Sequence, residues 1–187
     1  MSARNTFIRS LHDVGGAAWF GGSLMGAVAL NGATRQVRDD ANPLAVAASG
    51  WGRWSPVAAA AIGAHLIGGL GLVLANRDRV KHQDGVGANT VIKTVLTGAA
   101  IASTAYASIL GAHLANEPMA TVDAATVPNS STPDRVARSQ QQLRILQWVT
   151  PVLTGALIVL GAQQGEQQKP AEIVKGVASK TRQRGRR

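Results

Sequence analysis

The chain has 187 residues, 45% of them hydrophobic and 16% charged, with 19 Lys and Arg against 10 Asp and Glu and no cysteine. That length suits one domain, and the absence of Cys excludes disulfides, thiolate metal sites, iron–sulfur clusters and a Cys nucleophile. The formal net charge of +9 raises nucleic-acid binding, but seven basic residues fall from Lys169 onward (Lys169, Lys175, Lys180, Arg182, Arg184, Arg186 and Arg187), a placement that fits a tail lying on anionic lipid and not a nucleic-acid site.

Four stretches of 21 to 23 residues carry no charge: Val14–Thr34, Trp54–Asn76, Thr94–Asn116 and Ile145–Gly165. A helix needs roughly 20 mostly apolar residues to cross a hydrocarbon core about 30 Å thick. The expected fold is therefore an all-α, integral membrane four-helix bundle, with spans near 12–34, 54–76, 93–116 and 143–164 inside a transmembrane domain over 1–165. Residues 166–187 read as a basic cytoplasmic tail.

Ahead of the first span stand Arg4 and Arg9, but the apolar segment is too long for a signal peptide and lacks a cleavage site, so it reads as a retained span. Arg35–Arg53 reads as a loop holding Asp39, Asp40, Pro43 and Gly50-Trp51, with one short apolar turn at Leu44–Ala48. Arg77–Lys93 is a short link with a turn at Asp84-Gly85. Glu117–Arg144 begins as coil with Pro118 and Pro128. Ser131 or Thr132 then offers a cap, Pro133 suits the first helical position and Asp134 complements the helix dipole. A polar helix over 133–142 should run straight into the fourth span, kinked at Pro151.

With an even number of spans both termini share a side. That side holds 13 basic residues and the other holds six, which places the termini in the cytoplasm. Trp51, Trp54 and Trp148 then fall at outer span ends, where an indole keeps its N–H wet. The Ala-, Gly-, Val- and Arg-rich composition is that of high-GC bacteria, so the expected location is a bacterial cytoplasmic (inner) membrane.

Close helix packing in lipid relies on small residues. Gly22 and Gly26 supply them on the first span, Ala64 and Gly68 on the second, and Ala99, Ser103, Ala107 and Gly111 on the third. Asn31, Thr97, Thr150 and Thr154 are expected to bond across helices.

Ionisable groups within a span are costly and mark candidate functional positions: His12, His65 and His113. Placed on those spans they lie near the inner face, the midplane and the outer face, successive ones differing in depth by on the order of 10 Å at 1.5 Å per residue. That stagger argues against a shared metal or haem; no cofactor is expected. A staggered set suits a proton path only with help from Ser103, Thr104, Tyr106 and Ser108. No phosphate loop, His-Glu-x-x-His pair, nucleophile elbow or carboxylate pair occurs, and the chain does not read as an enzyme.

The opening segment Leu11-His12-Asp13-Val14-Gly15-Gly16-Ala17-Ala18-Trp19-Phe20-Gly21-Gly22 resembles small four-span membrane proteins of high-GC bacteria. Some copper-resistance-type families look similar there, with a His followed by a Trp and a Gly pair. The resemblance covers about 20 residues and carries no ligand set over, because no matching residues follow in later spans. The sequence thus implies a non-catalytic membrane module, an accessory or assembly subunit of a larger complex or a self-associating protein. The alternative is a small transporter or channel with a polar, His-containing path.

Overall fold

Proline-led starts frame two of the four long helices in the computed structural model, which describes residues 3–37, 42–75, 86–117 and 119–166. α1 spans Ala3–Met25 and α2 spans Pro43–Ala75. α3 covers Val86–Ala115 and α4 covers Asp134–Glu166. The bundle is all-α apart from a small antiparallel hairpin, β1 (Val122–Ala124) and β2 (Val127–Pro128).

α2 starts well before the second charge-free window, at a point the sequence reading gives to a loop. The Asn42 Oδ1 accepts the Leu44 N–H at 2.7 Å and Pro43 fills the first helical position, so the orphan donors of the first turn are met locally. Trp51 and Trp54 therefore stand one turn apart on a helix. α3 likewise begins ahead of Lys93. α4 runs unbroken from its polar start through Pro151, which joins the polar helix to the fourth apolar window. The Asp39-Asp40 pair, the Asp84-Gly85 turn, Pro118 and the basic tail over 167–187 lie outside the described residues.

α1 does not stop at Met25. It widens into a π-helical turn over Gly26–Leu30, makes one more α turn over Asn31–Ala33, and tightens to a 3₁₀ turn over Thr34–Gln36. The Asn31 N–H reaches back to the Gly26 carbonyl, the i to i+5 bond of an inserted residue. Beyond this turn Asn31 and Thr34 are both buried.

The helices form a ring in which α1 packs along α2 on one side and α4 on the other, α4 packs along α3, and α2 meets α3 at only a few residues. Polar and small groups fill the interior: Asn31, Thr34, His65, Ser103, Gln140, Thr150 and Thr154 are buried. Large apolar side chains cover the outside, among them Ile67, Leu70 and Leu74 on α2, Val91 and Val95 on α3, and Ile145 and Val152 on α4. Water would penalise so much contiguous apolar surface; lipid accepts it. Among the described residues, three helices (Pro43–Ala75, Ala88–Ala115 and Asp134–Gln163) are long and apolar enough to cross a membrane. α1 is not among them, because Arg9, His12 and Asp13 dilute its first half.

Two apolar clusters hold the ring. Trp19, Ala61 and Ala100 meet at mid-bundle with Ile62, Ile101 and Leu153 against them. Leu44, Leu114, Ala120 and Val136 close the end where α2 and α4 begin. The hairpin lies over that end as a cap. Thr34 Oγ1 accepts the Ala125 N–H at 3.0 Å, and Gln140 Nε2 donates to the Ala124 and Ala125 carbonyls at 2.8 and 3.2 Å. The long link that the sequence reads as starting in coil is thus an ordered lid.

Candidate functional site

α1 and α2 carry the same five-residue pattern, His12-Asp13-Val14-Gly15-Gly16 and His65-Leu66-Ile67-Gly68-Gly69. Antiparallel packing brings the two copies face to face. His12 Nδ1 donates to the His65 carbonyl at 2.8 Å, and His65 Nδ1 donates to the His12 carbonyl at 3.0 Å. The two rings stack with centroids 3.9 Å apart and planes 21° from parallel. Trp19 stands edge-on to His65 at 6.2 Å and donates its indole N–H to Thr104 Oγ1 at 3.1 Å.

The glycines explain why this exchange is open to a helical residue. Each carbonyl also serves its own helix ladder and offers the incoming ring its second lone pair. A side chain on the residue four positions later would block that approach: a Cβ on Gly16 would lie 3.0 Å from His65 Nδ1, and one on Gly69 would lie 3.3 Å from His12 Nδ1. The residue three positions later must be bare for the backbones to touch. A Cβ on Gly15 would fall 2.6 Å from the His65 nitrogen, and one on Gly68 would fall 2.5 Å from the His12 nitrogen. His-x-x-Gly-Gly is therefore one device written twice, two donors for two carbonyls with two glycines to admit each ring.

This differs from the depth assignment made from the sequence, which keeps His12 and His65 apart. α1 begins at Ala3, not near His12, and α2 ends at Ala75. Each histidine accordingly lies about ten residues inside its helix, measured from the same end of the bundle. His113 remains separate. It is exposed at the far end of α3, beside a cavity of about 160 Å³ lined by Leu114, Glu117, Arg135, Val136 and Ser139, where Arg135 pairs with Glu117.

Charged groups gather round the histidine pair: Arg9 and Asp13 from α1 and Lys93 from α3. The Lys93 chain runs to α4, where a Cβ on Gly161 would meet its Nζ at 3.9 Å. Each Nδ1 is engaged by a carbonyl, which leaves Nε2 as the remaining nitrogen on each ring. No group of three His, Cys, Asp or Glu suited to a metal occurs among the described residues. The chemistry open to the pair is hydrogen bonding and proton uptake at Nε2.

The remaining sequence-selected positions are distributed as follows. Gly22 and Gly26 lie directly under Trp54 and Trp51: an added Cβ would overlap either indole. Trp51 donates its N–H to Asn31 Oδ1 at 3.0 Å, and Asn31 Nδ2 donates to Gln147 Oε1 at 2.9 Å, so this indole is tied into the bundle and not kept wet. Trp148 is the exposed one. Gly68 faces the His12 backbone, and the Ala64 Cβ packs at Gly15. On α3, Ser103 is buried and shares a 2.9 Å hydrogen bond with Thr150, and Ala107 is half-buried. Ala99 is exposed and Gly111 has open space at its Cβ position. Steps of four residues advance about 400° around a 3.6-residue helix and drift off one face. The buried line instead runs Ala100, Ser103, Leu110, Leu114.

The sequence reading passes over Gly15, Gly16 and Gly69 as partners of the histidines, although the duplicated His-x-x-Gly-Gly spacing was there to be found. Gln140 and Gln147 are further polar anchors with no such signal. The fold and its apolar exterior define a helical membrane protein. Comparison with protein-family models, with characterised proteins and with solved structures finds nothing that matches this chain.

Proposed function

We propose that this chain is a non-catalytic integral membrane protein of a bacterial cytoplasmic membrane, with α1 as a fourth crossing helix and both termini in the cytoplasm, serving as an accessory or assembly subunit of a larger membrane complex. The observation that carries the reading is the closed centre of the bundle. Trp19 is 2% exposed and Ala100 is fully buried, and with Ala61 they form an apolar layer across the interior. That layer separates the inner histidine pair from the polar groups toward the lid. A filled interior leaves the outer faces as the working surface, and on α3 Gly98 and Gly111 leave open space at their Cβ positions, where a partner helix can approach closely. The basic tail would rest on anionic lipid of the inner leaflet.

A small transporter is the alternative, favoured by the run of interior polar pairs from His12–His65 through Ser103–Thr150 to Asn31–Gln147. The apolar layer stands against it. Affinity purification in gentle detergent, with identification of what co-purifies, separates the two. A subunit brings other membrane proteins with it and loses them in Gly98→Leu or Gly111→Leu while its own melting is retained. A protein that runs alone at 19.3 kDa overturns the subunit reading, and substrate flux in liposomes would establish the alternative.

A further inference from the structure

We propose that the His12–His65 stack is a proton-operated clasp: it holds the inner ends of α1 and α2 together while at most one ring is charged, and it releases them when both rings take a proton. The proposal stands on geometry and does not depend on the subunit reading. Both Nδ1 atoms are spent as donors to carbonyls, so Nε2 is the titrating atom on each ring. A first proton leaves both hydrogen bonds in place. A second sets two cations face to face at a centroid distance of 3.9 Å, where like charges repel strongly in a poorly hydrated interior.

The charged groups facing the pair do not cancel that repulsion. From α1 come Asp13, which offsets one positive charge, and Arg9, which adds to it; from α3 comes Lys93, which also adds to it. α2 and α4 bring none over 54–76 and 145–165. The contact around the rings is backbone against glycine, at Gly15 and Gly68, so a shift of the two backbones there moves both rings and both hydrogen bonds together. Moving the rings apart relieves the repulsion and breaks both Nδ1–H bonds together. Histidine is the side chain whose ordinary titration falls between about pH 5 and 8, which makes the cytoplasmic-side proton concentration the natural input.

The absence of Cys makes the test direct. Phe7→Cys and Leu74→Cys place spin labels at two exposed positions on the inner ends of α1 and α2 in the full chain, reconstituted in nanodiscs. Electron–electron distance measurements should give a longer separation at about pH 5 than at about pH 8. In His12→Asn/His65→Asn each amide keeps an N–H for the opposing carbonyl but takes no proton, and the separation should stay short at both pH values. If that double variant does not give a single species, His65→Asn alone leaves one titrating ring and should equally stay short. A wild-type distance unchanged between the two pH values overturns the proposal, as does an equal lengthening in the Asn variants.

Discussion

An imidazole reaches a helix carbonyl on a neighbouring helix only where the neighbour has no side chain in the way, and that condition sets the cost of each substitution around the pair. At Gly68 an added methyl would lie 2.5 Å from the His12 nitrogen and 2.7 Å from its Cα. Backbone atoms cannot swing aside as a side-chain tip can, so Gly68→Ala must push α1 from α2 or distort a helix. Overpacking of this kind costs about 1–3 kcal/mol, and the upper end applies because both His hydrogen bonds lengthen as well. Gly63, on the same helix with open space at its Cβ position, is the control: Gly63→Ala should lie within about 0.5 kcal/mol of wild type or slightly above it, helped by the better helix propensity of Ala. Thermal unfolding in one detergent, read by circular dichroism, compares the two. Equal melting of Gly68→Ala and Gly63→Ala would contradict the close α1–α2 approach.

Among the elements, the lid shows how one buried amide can hold a loop. Gln140 is fully buried on α4, and its Nε2 donates to both Ala124 and Ala125 carbonyls in the hairpin. Replacing it with Leu removes both bonds and leaves two buried acceptors, at about 1–3 kcal/mol for such unsatisfied groups. The loss should fall on local opening of the hairpin, since the four helices keep their own contacts. Amide hydrogen exchange over Val122–Pro128 is expected to quicken about tenfold or more in Gln140→Leu, with α1 and α3 amides unchanged; uniform quickening would show that lid and bundle open together. The lid was illegible in advance because Gln140 and Thr34 look like ordinary polar residues until the hairpin meets them. The helices themselves were legible from charge-free length, and the α4 start from Pro133-Asp134. The α2 start was equally written in Asn42-Pro43, but the charged Arg53 masked it, since a window bounded by charge marks the membrane-apolar part of a helix and not its ends. The histidine pairing is hidden for a related reason: depth counted from window edges misses that α1 begins at Ala3, well ahead of its window at Val14, and so brings His12 level with His65.

For the whole molecule, two exposed sites report which way the bundle sits without disturbing the core. Met119 is 92% exposed in the lid segment at the end where α2 and α4 begin. Gln163 is exposed near the far end of α4, on the side of the Arg9 and Lys93 cluster. The proposed topology, drawn from the excess of Lys and Arg over the termini and the middle link, has that side in the cytoplasm, and in it α1, with too few apolar residues to qualify alone, would cross with His12 packed against α2. In the Cys-free chain, Met119→Cys should react with a membrane-impermeant maleimide in intact spheroplasts, and Gln163→Cys should react only after the membrane is opened. The reverse pattern would place the lid in the cytoplasm and turn the proton clasp to face outward. Labelling of both sites in intact cells would mean that α4 does not cross, and the bundle would then lie against the membrane instead of through it.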